Sequence, residues 1–434
     1  MLERIIKLLD NQKEISGYKI CEKEIEANEL FFIKKNVDMD RAKMVRHYKL
    51  TVYVDFREDG NSYKGSATTN IQPTMSDEEI TKAIKDAAFA AKFVKNPYYP
   101  LTKPVASYKK LETGKFNQES LPYWMNEITK AVYKNDTYDK AGINSCEIFL
   151  NKINTHIITS EGVDVKASKY EGMVEFITTW KEDGEEIELY RCLNFSDFEP
   201  VEMAEEVKTM IAIAKEKAIA KKTPLLENTP ILLTRGAVKS FFDIYYLRSN
   251  ASAVYNENST WKIGDKLQGD EVKGDRITMT LDPFMKNSTL SGGFDEDGYA
   301  LNKTMIIENG ILKRYVADTR YAHYLNVEPT GMINNIIVNG GSRTMEELRK
   351  EPYLEIVTFS DFSVDPIIGG FCGEIRLAWY YDGEKTIPVT GGSISGMISD
   401  VHNEIYLSKE LQKDNGFEGP VAVKMSNVSI AGVE

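Results

Sequence analysis

Asx-Gly pairs punctuate this chain and constrain it more than any other feature. They include Asp59-Gly60, Asp183-Gly184, Asp297-Gly298, Asn309-Gly310 and Asp382-Gly383. Such a pair readily takes positive φ at both residues, which is what a tight two-residue β-hairpin demands. The flanking residues suit strands. Tyr48 to Phe56 precedes the first pair, Met173 to Trp180 the second, and Met305-Ile306-Ile307 and Ile311-Leu312 bracket Asn309-Gly310. Helical spacing brackets the first two strand blocks. Apolar residues recur at Ile80, Ile84, Ala87, Ala88 and Ala91 in Asp77 to Val94, and at Met203, Val207, Met210, Ile211 and Ala214 in Val201 to Ala220. Each of these two patterns follows a capping-box sequence, Ser76-Asp77-Glu78-Glu79 and Ser196-Asp197-Phe198-Glu199. Further helical patterns, Leu2 to Leu9 and Leu121 to Tyr133, precede the strand blocks.

Helix, strands, helix therefore occurs twice within residues 1–222, over 1–94 and 119–222. An internal duplication and coincidence within an α+β domain both account for this. Proline-bearing stretches at Lys95 to Pro104 and Lys221 to Pro230 read as linkers. Beyond Pro230 one helix pattern, Gly236 to Arg248, is followed by strands and turns, with a short helix at Met345 to Lys350. The fold class expected is α+β. Residues 1–222 form an N-terminal α/β domain with helices on antiparallel sheet, and residues 228–434 a β-rich domain of mainly antiparallel strands.

Composition narrows the partners. The 434 residues carry 54 Lys and Arg against 66 Asp and Glu, a net charge of −12. An acidic chain repels phosphate backbones, so direct nucleic-acid binding is not expected. The four cysteines (Cys21, Cys146, Cys192, Cys372) contain no Cys-x-x-Cys and read as reduced thiols. The first residues form an amphipathic helix rather than a signal peptide, and no apolar run is long enough to span a membrane. The expectation is a cytoplasmic protein.

Spacing alone yields no active site. The histidines (His47, His156, His323, His402) are scattered, with no helix-borne pair of the kind that catalytic zinc sites use. Gly369-Gly370-Phe371-Cys372-Gly373 and Gly391-Gly392-Ser393-Ile394-Ser395-Gly396 are glycine-rich but match no phosphate loop, and sheet bulges explain such glycines. Cys372 with His402 as base would need the fold to bring them together. Asp295-Glu296-Asp297-Gly298 lacks the remaining calcium-loop ligands and reads as a turn.

An ordered set of motifs in the C-terminal half carries a resemblance. Phe294-Asp295-Glu296-Asp297-Gly298-Tyr299-Ala300 precedes Ile306 to Tyr315, Asp318 to Ala322, Pro329-Thr330-Gly331, Gly369-Gly370-Phe371, Asp382 to Val389 and Ile394-Ser395-Gly396. In these the chain resembles the TldD/PmbA family, whose members are often labelled modulators of DNA gyrase. For an acidic chain that label implies an indirect effect on DNA topology. In the TldD branch, a zinc metalloprotease, the corresponding helix bears His-Glu, three residues, then His, and a late cysteine completes the site. Here the helix holds Phe241, Phe242, Asp243, Tyr246 and Leu247 where that motif would lie, with no histidine or glutamate. Near the cysteine's place stand Asn415-Gly416-Phe417-Glu418-Gly419. The resemblance thus implies a PmbA/TldE-like chain lacking the zinc motif.

Several expectations follow from it. The chain binds no zinc itself and has no catalytic residues of its own. It partners a TldD-like zinc subunit in proteolysis of unfolded or extended peptides, supplying chamber wall, peptide binding and assembly. The alternative is a stand-alone homodimer that binds peptide or protein without cleaving it. Gly369, Gly370, Phe371, Cys372 and Gly373 are the expected close approach to peptide or partner, with a sheet bulge as the competing reading.

Overall fold

Period-two burial organises the first half. The computed structural model describes residues 1–433. Helix α1 (Leu2–Asp10) leads into β1 (Gly17–Ile33), β2 (Asn36–Glu58) and β3 (Asn61–Ile71), then α2 (Asp77–Ala91). The order repeats as α3 (Leu121–Tyr133), β4 (Ala141–Thr159), β5 (Asp164–Glu182), β6 (Glu185–Phe195) and α4 (Pro200–Ala218). The two meanders join through their first strands into one antiparallel sheet of order β3-β2-β1-β4-β5-β6, with Lys19 opposite Thr159 and Ile33 opposite Ser145. Alternate residues point to one face. On that face Ile20, Leu50, Val52, Val54 and Ile71 meet α1 and α2, while Cys146, Ile148, Leu150, Val174 and Phe176 meet α3 and α4.

Three Asx-Gly pairs form the expected turns. Asp59-Gly60, Asp183-Gly184 and Asn309-Gly310 have φ of 49° and 81°, 48° and 87°, and 50° and 77°. At Asp297-Gly298 and Asp382-Gly383 only the glycine is positive, because an aspartate carboxylate closes each turn. Asp295 accepts from the Asp297 N–H, and Asp382 accepts from the N–H groups of Glu384 and Lys385. Ser76 and Glu79 make both bonds of the capping box on α2. The second expected box is absent. α4 starts at Pro200 without a side-chain cap, and the N–H groups of Ser196 and Asp197 are bound by Asn287 Oδ1.

The second half packs two sheets around helix α5 (Gly236–Arg248), whose bounds match the sequence pattern. The segment read as a linker contributes β7 (Lys221–Lys222), which pairs in parallel with the strand Thr386–Thr390. Next, β8 (Ile231–Thr234) lies buried between the strands Tyr353–Val364 and Ala422–Met425 in a nine-stranded sheet. A six-stranded sheet includes the strands Met279–Leu281, Ile336–Val338 and Phe417–Pro420. Pairing is mainly antiparallel, with parallel exceptions at β7, β8 and Ile336–Val338. Among the described residues no helix is long and apolar enough to cross a membrane.

The halves interlock. Val357 and Leu377, from the nine-stranded sheet, sit in the core beneath α3 and α4. Lys19 pairs with Asp297, Thr102 Oγ1 lies 2.9 Å from Thr319 Oγ1, and Tyr324 Oη donates to the Pro97 carbonyl at 2.6 Å.

Candidate functional site

The approach to α5 is held by charge. Arg235 precedes the helix at φ 56°, a region that L residues adopt only under constraint. Its guanidinium binds Glu206 of α4, and its carbonyl accepts from Gln412 Nε2 at 3.2 Å. Arg191 of β6 donates to the same Glu206 at 2.7 Å and approaches Asp414 at 3.6 Å. Beside this network lies a cavity of about 290 Å³, lined in part by Arg191, Arg235, Ser240, Phe359 and Phe362. No motif in the sequence signalled these arginines, because their partners are remote in the chain.

Along α5, Val238, Phe241, Phe242, Ile244 and Tyr245 are buried. Phe242 stacks on Phe417 with ring centroids 6.3 Å apart and planes 20° from parallel. The fold therefore brings α5 and the 415–419 segment together, and aromatic rings fill the contact. The outward residues are engaged in structure. Asp243 pairs with Lys239 at 3.2 Å, and Tyr246 Oη donates to Asn334 Oδ1 at 2.9 Å. Leu247 is exposed, while Arg248 donates to the carbonyls of Pro366 (2.7 Å) and Ile367 (2.6 Å). The buried Tyr245 hydroxyl has no hydrogen-bond partner among the described residues, and burial drives its pKa far above the phenol range.

This donor set does not suit zinc. A tetrahedral site takes thiolate, imidazole or carboxylate ligands, and the α5–417 contact offers phenylalanine rings with one carboxylate already tied to a lysine. Among the described residues no group of three or more His, Cys, Asp or Glu is placed to hold a metal ion. His156 of β4, for instance, is bound to Asp164 at 2.7 Å.

The glycine-rich strand lies inside the sheet. Residues 370–373 of the strand Gly370–Tyr381 pair with Ser393–Met397 on one side, and Phe371, Cys372 and Gly373 pair with Val364, Ser363 and Phe362 on the other. Both edges are occupied, so an extended peptide cannot add to either. The close approach that Gly373 permits is to its neighbours' rings. A Cβ there would stand 2.6 Å from the Phe359 ring and 2.9 Å from that of Phe362, where the facing strand is bulged. Gly369 turns the hairpin tip at φ 82°, and Phe371 is buried. Cys372 is exposed, its sulfur 3.8 Å from Ser363 Oγ. His402 shares no hydrogen bond with it. Its Nδ1 is buried without a partner among the described residues, and burial together with Arg248 lowers its pKa.

Two of the sequence motifs meet in space. Asp295, 8% exposed, accepts from the N–H groups of Asp297 (2.9 Å), Tyr299 (3.0 Å) and Met332 (3.2 Å). Tyr299 Oη donates to the Pro329 carbonyl at 3.0 Å. The Phe294–Ala300 turn is thereby locked to Pro329-Thr330-Gly331. Burial, then the charge of Asp297, pushes the Asp295 carboxyl up to about 6 in spite of those three donors.

Known proteins share both halves. Residues 227–432 match the family profile described as the PmbA/TldA metallopeptidase C-terminal domain. An uncharacterized protein of Methanocaldococcus jannaschii is 24% identical over 438 residues, covering 93% of this chain and 97% of its own. A metalloprotease TldD homolog of Buchnera aphidicola is 25% identical over 208 residues, or 41% of this chain and 43% of its own. The crystal structure of TldE from Thermococcus kodakarensis superposes with a TM-score of 0.79 at 18% identity, covering 99% of this chain and 100% of that one, which shows the fold. The C-terminal half thus matches the PmbA/TldA metallopeptidase C-terminal domain, and the whole chain is similar to TldD/PmbA proteins in sequence and in fold.

Proposed function

We propose that this chain is a TldE-like, non-catalytic subunit that works with a TldD-like zinc metallopeptidase on unfolded or extended peptides. The observation that carries this reading is the contact between α5 and the 415–419 segment. Where the resemblance places zinc ligands, Phe242 stacks on Phe417 and Asp243 is held by Lys239. Polarising a scissile carbonyl with zinc needs open coordination on the metal. A partner chain would provide it, while this one contributes wall and assembly.

The test is reconstitution. The purified chain and a TldD-like chain are assayed separately and together on an unstructured peptide, with zinc in each quantified by elemental mass spectrometry. Stable association, with hydrolysis and zinc that depend on the TldD-like chain, is the expected result. About one zinc per isolated chain of this protein, or cleavage by it alone, would overturn the reading.

A further inference from the structure

The two halves meet around a cavity of about 180 Å³. Strand β1 supplies Lys19 to its lining and β2 supplies Tyr53, while the proline-bearing stretch after α2 supplies Tyr99 and Leu101. From the second half come Asp297, Asp318 and Arg320, so the motifs Phe294 to Ala300 and Asp318 to Ala322 converge here. At ~30 Å³ each, about six waters fill such a volume, which is the bulk of one small organic molecule.

The lining is polar and short of partners. Tyr53 and Tyr99 are only 7% and 8% exposed, yet among the described residues neither hydroxyl makes a hydrogen bond. Burial raises both pKa values, so the phenols stay protonated and can donate. The two lie close enough to feel each other's charge, and Tyr53 feels that of Asp297. Arg320 Nη2 donates to Asn96 Oδ1 at 2.8 Å, but its Nε is buried without a partner among the described residues. The rings of Tyr99, Tyr321 and Tyr324 hold that guanidinium in place, 5.5, 5.0 and 5.5 Å away. Asp318 accepts from the Tyr321 N–H at 2.7 Å and makes no salt bridge among the described residues, and burial above all raises its pKa. Buried polar groups are normally satisfied, and a set left without partners around one space marks a bound molecule or ordered water.

Charge decides which molecule fits. Lys19 and Asp297 neutralise each other. One carboxylate, Asp318, and one guanidinium, Arg320, remain, so the lining is neutral overall and presents both signs. A lone anion or cation would leave its opposite number in the cavity unpaired, whereas a zwitterion answers both. We propose that the cavity binds a free α-amino acid with a small apolar side chain. Its ammonium pairs with Asp318, its carboxylate takes the Arg320 and tyrosine donors, and its side chain lies against Pro100 and Leu101. The ligand touches both halves and so holds them together. The site does not depend on the peptidase reading.

Titration calorimetry and thermal unfolding of the full-length chain with L-alanine test it, with acetate and methylammonium as probes of each pole alone. One alanine per chain is expected to bind and to raise the melting temperature, with at least about tenfold weaker binding of either single ion. Tyr53→Phe and Tyr99→Phe remove hydroxyls that have no partner in the free chain. Each should weaken alanine binding about tenfold while leaving the melting temperature without ligand unchanged. Asp318→Asn keeps the helix cap and should abolish binding. No heat and no thermal shift at millimolar alanine means that water alone fills the cavity and overturns the proposal. So does an equal response to acetate or methylammonium, binding that survives all three substitutions, or a loss of binding matched by a loss of stability in the ligand-free variants.

Discussion

Asp295 illustrates how a single side chain can couple fold and solution conditions. An unfolded aspartate titrates near 3.9, whereas this one is pushed up to about 6. Between about pH 4 and 6 the folded chain thus holds a proton that the unfolded chain has released. The group's contribution to stability is greatest below that window and falls as pH rises through it. The free energy of unfolding of the parent relative to Asp295→Asn should decline by up to about 3 kcal/mol from pH 4 to pH 7. Urea denaturation across that range reads the difference, and a flat one would show the carboxyl to be ordinary. None of this was legible in Asp295-Glu296-Asp297-Gly298, which spells a turn. Residues that surround the carboxyl are remote in the chain: the Met332 N–H bonds it, and Gly331 lies beside it.

Among the elements, local signals succeeded where local forces decide the outcome. α5 was readable because its apolar rows meet sheets on several sides, and α2 because Ser76 and Glu79 satisfy orphan N–H groups within one turn. The equivalent signal before α4 failed because Asn287, from the other half, captured the N–H groups of Ser196 and Asp197. Ser76→Ala should therefore cost about 1 kcal/mol in urea unfolding, and Ser196→Ala close to nothing. Equal losses would contradict the assignment. β1 and β4 were invisible for a related reason. Glu22, Lys23, Glu24 and Glu26 interrupt any apolar run in β1, which is held by partners on both sides, β2 and β4. Long-range pairing of that kind leaves no local trace. The glycine-rich strand shows the reverse limit, since glycines at 369, 370 and 373 were plain but not whose side chains they admit. Only the resemblance connected α5 with residues 415–419.

At the scale of the molecule the two halves share a core and one charge network. Val357 and Leu377 fill space beneath α3 and α4, while Glu206 joins Arg191 of the first sheet to Arg235 at the entrance of α5. Both Glu206 and its partners are partly buried, so removing the carboxylate leaves two guanidinium groups in mutual repulsion. Glu206→Ala should cost about 2 kcal/mol and broaden or split the calorimetric transition as the halves uncouple. An unchanged single transition would assign the coupling to the apolar core alone. The boundary near 222–228 reads differently in this light, because β7 has already joined the second half's sheet.

The position of β8 also has a temporal consequence. Its neighbours are Tyr353–Val364 on one side and Ala422–Met425 on the other, both much later in the chain. During synthesis β8 and α5 leave the ribosome long before either flank exists, so the second core cannot close until residue 425 has emerged. The helical meanders of the first half face no such delay in most of their contacts. A nascent chain stalled before 422 would carry a finished first sheet and an apolar strand with one side bare, a species suited to chaperone capture.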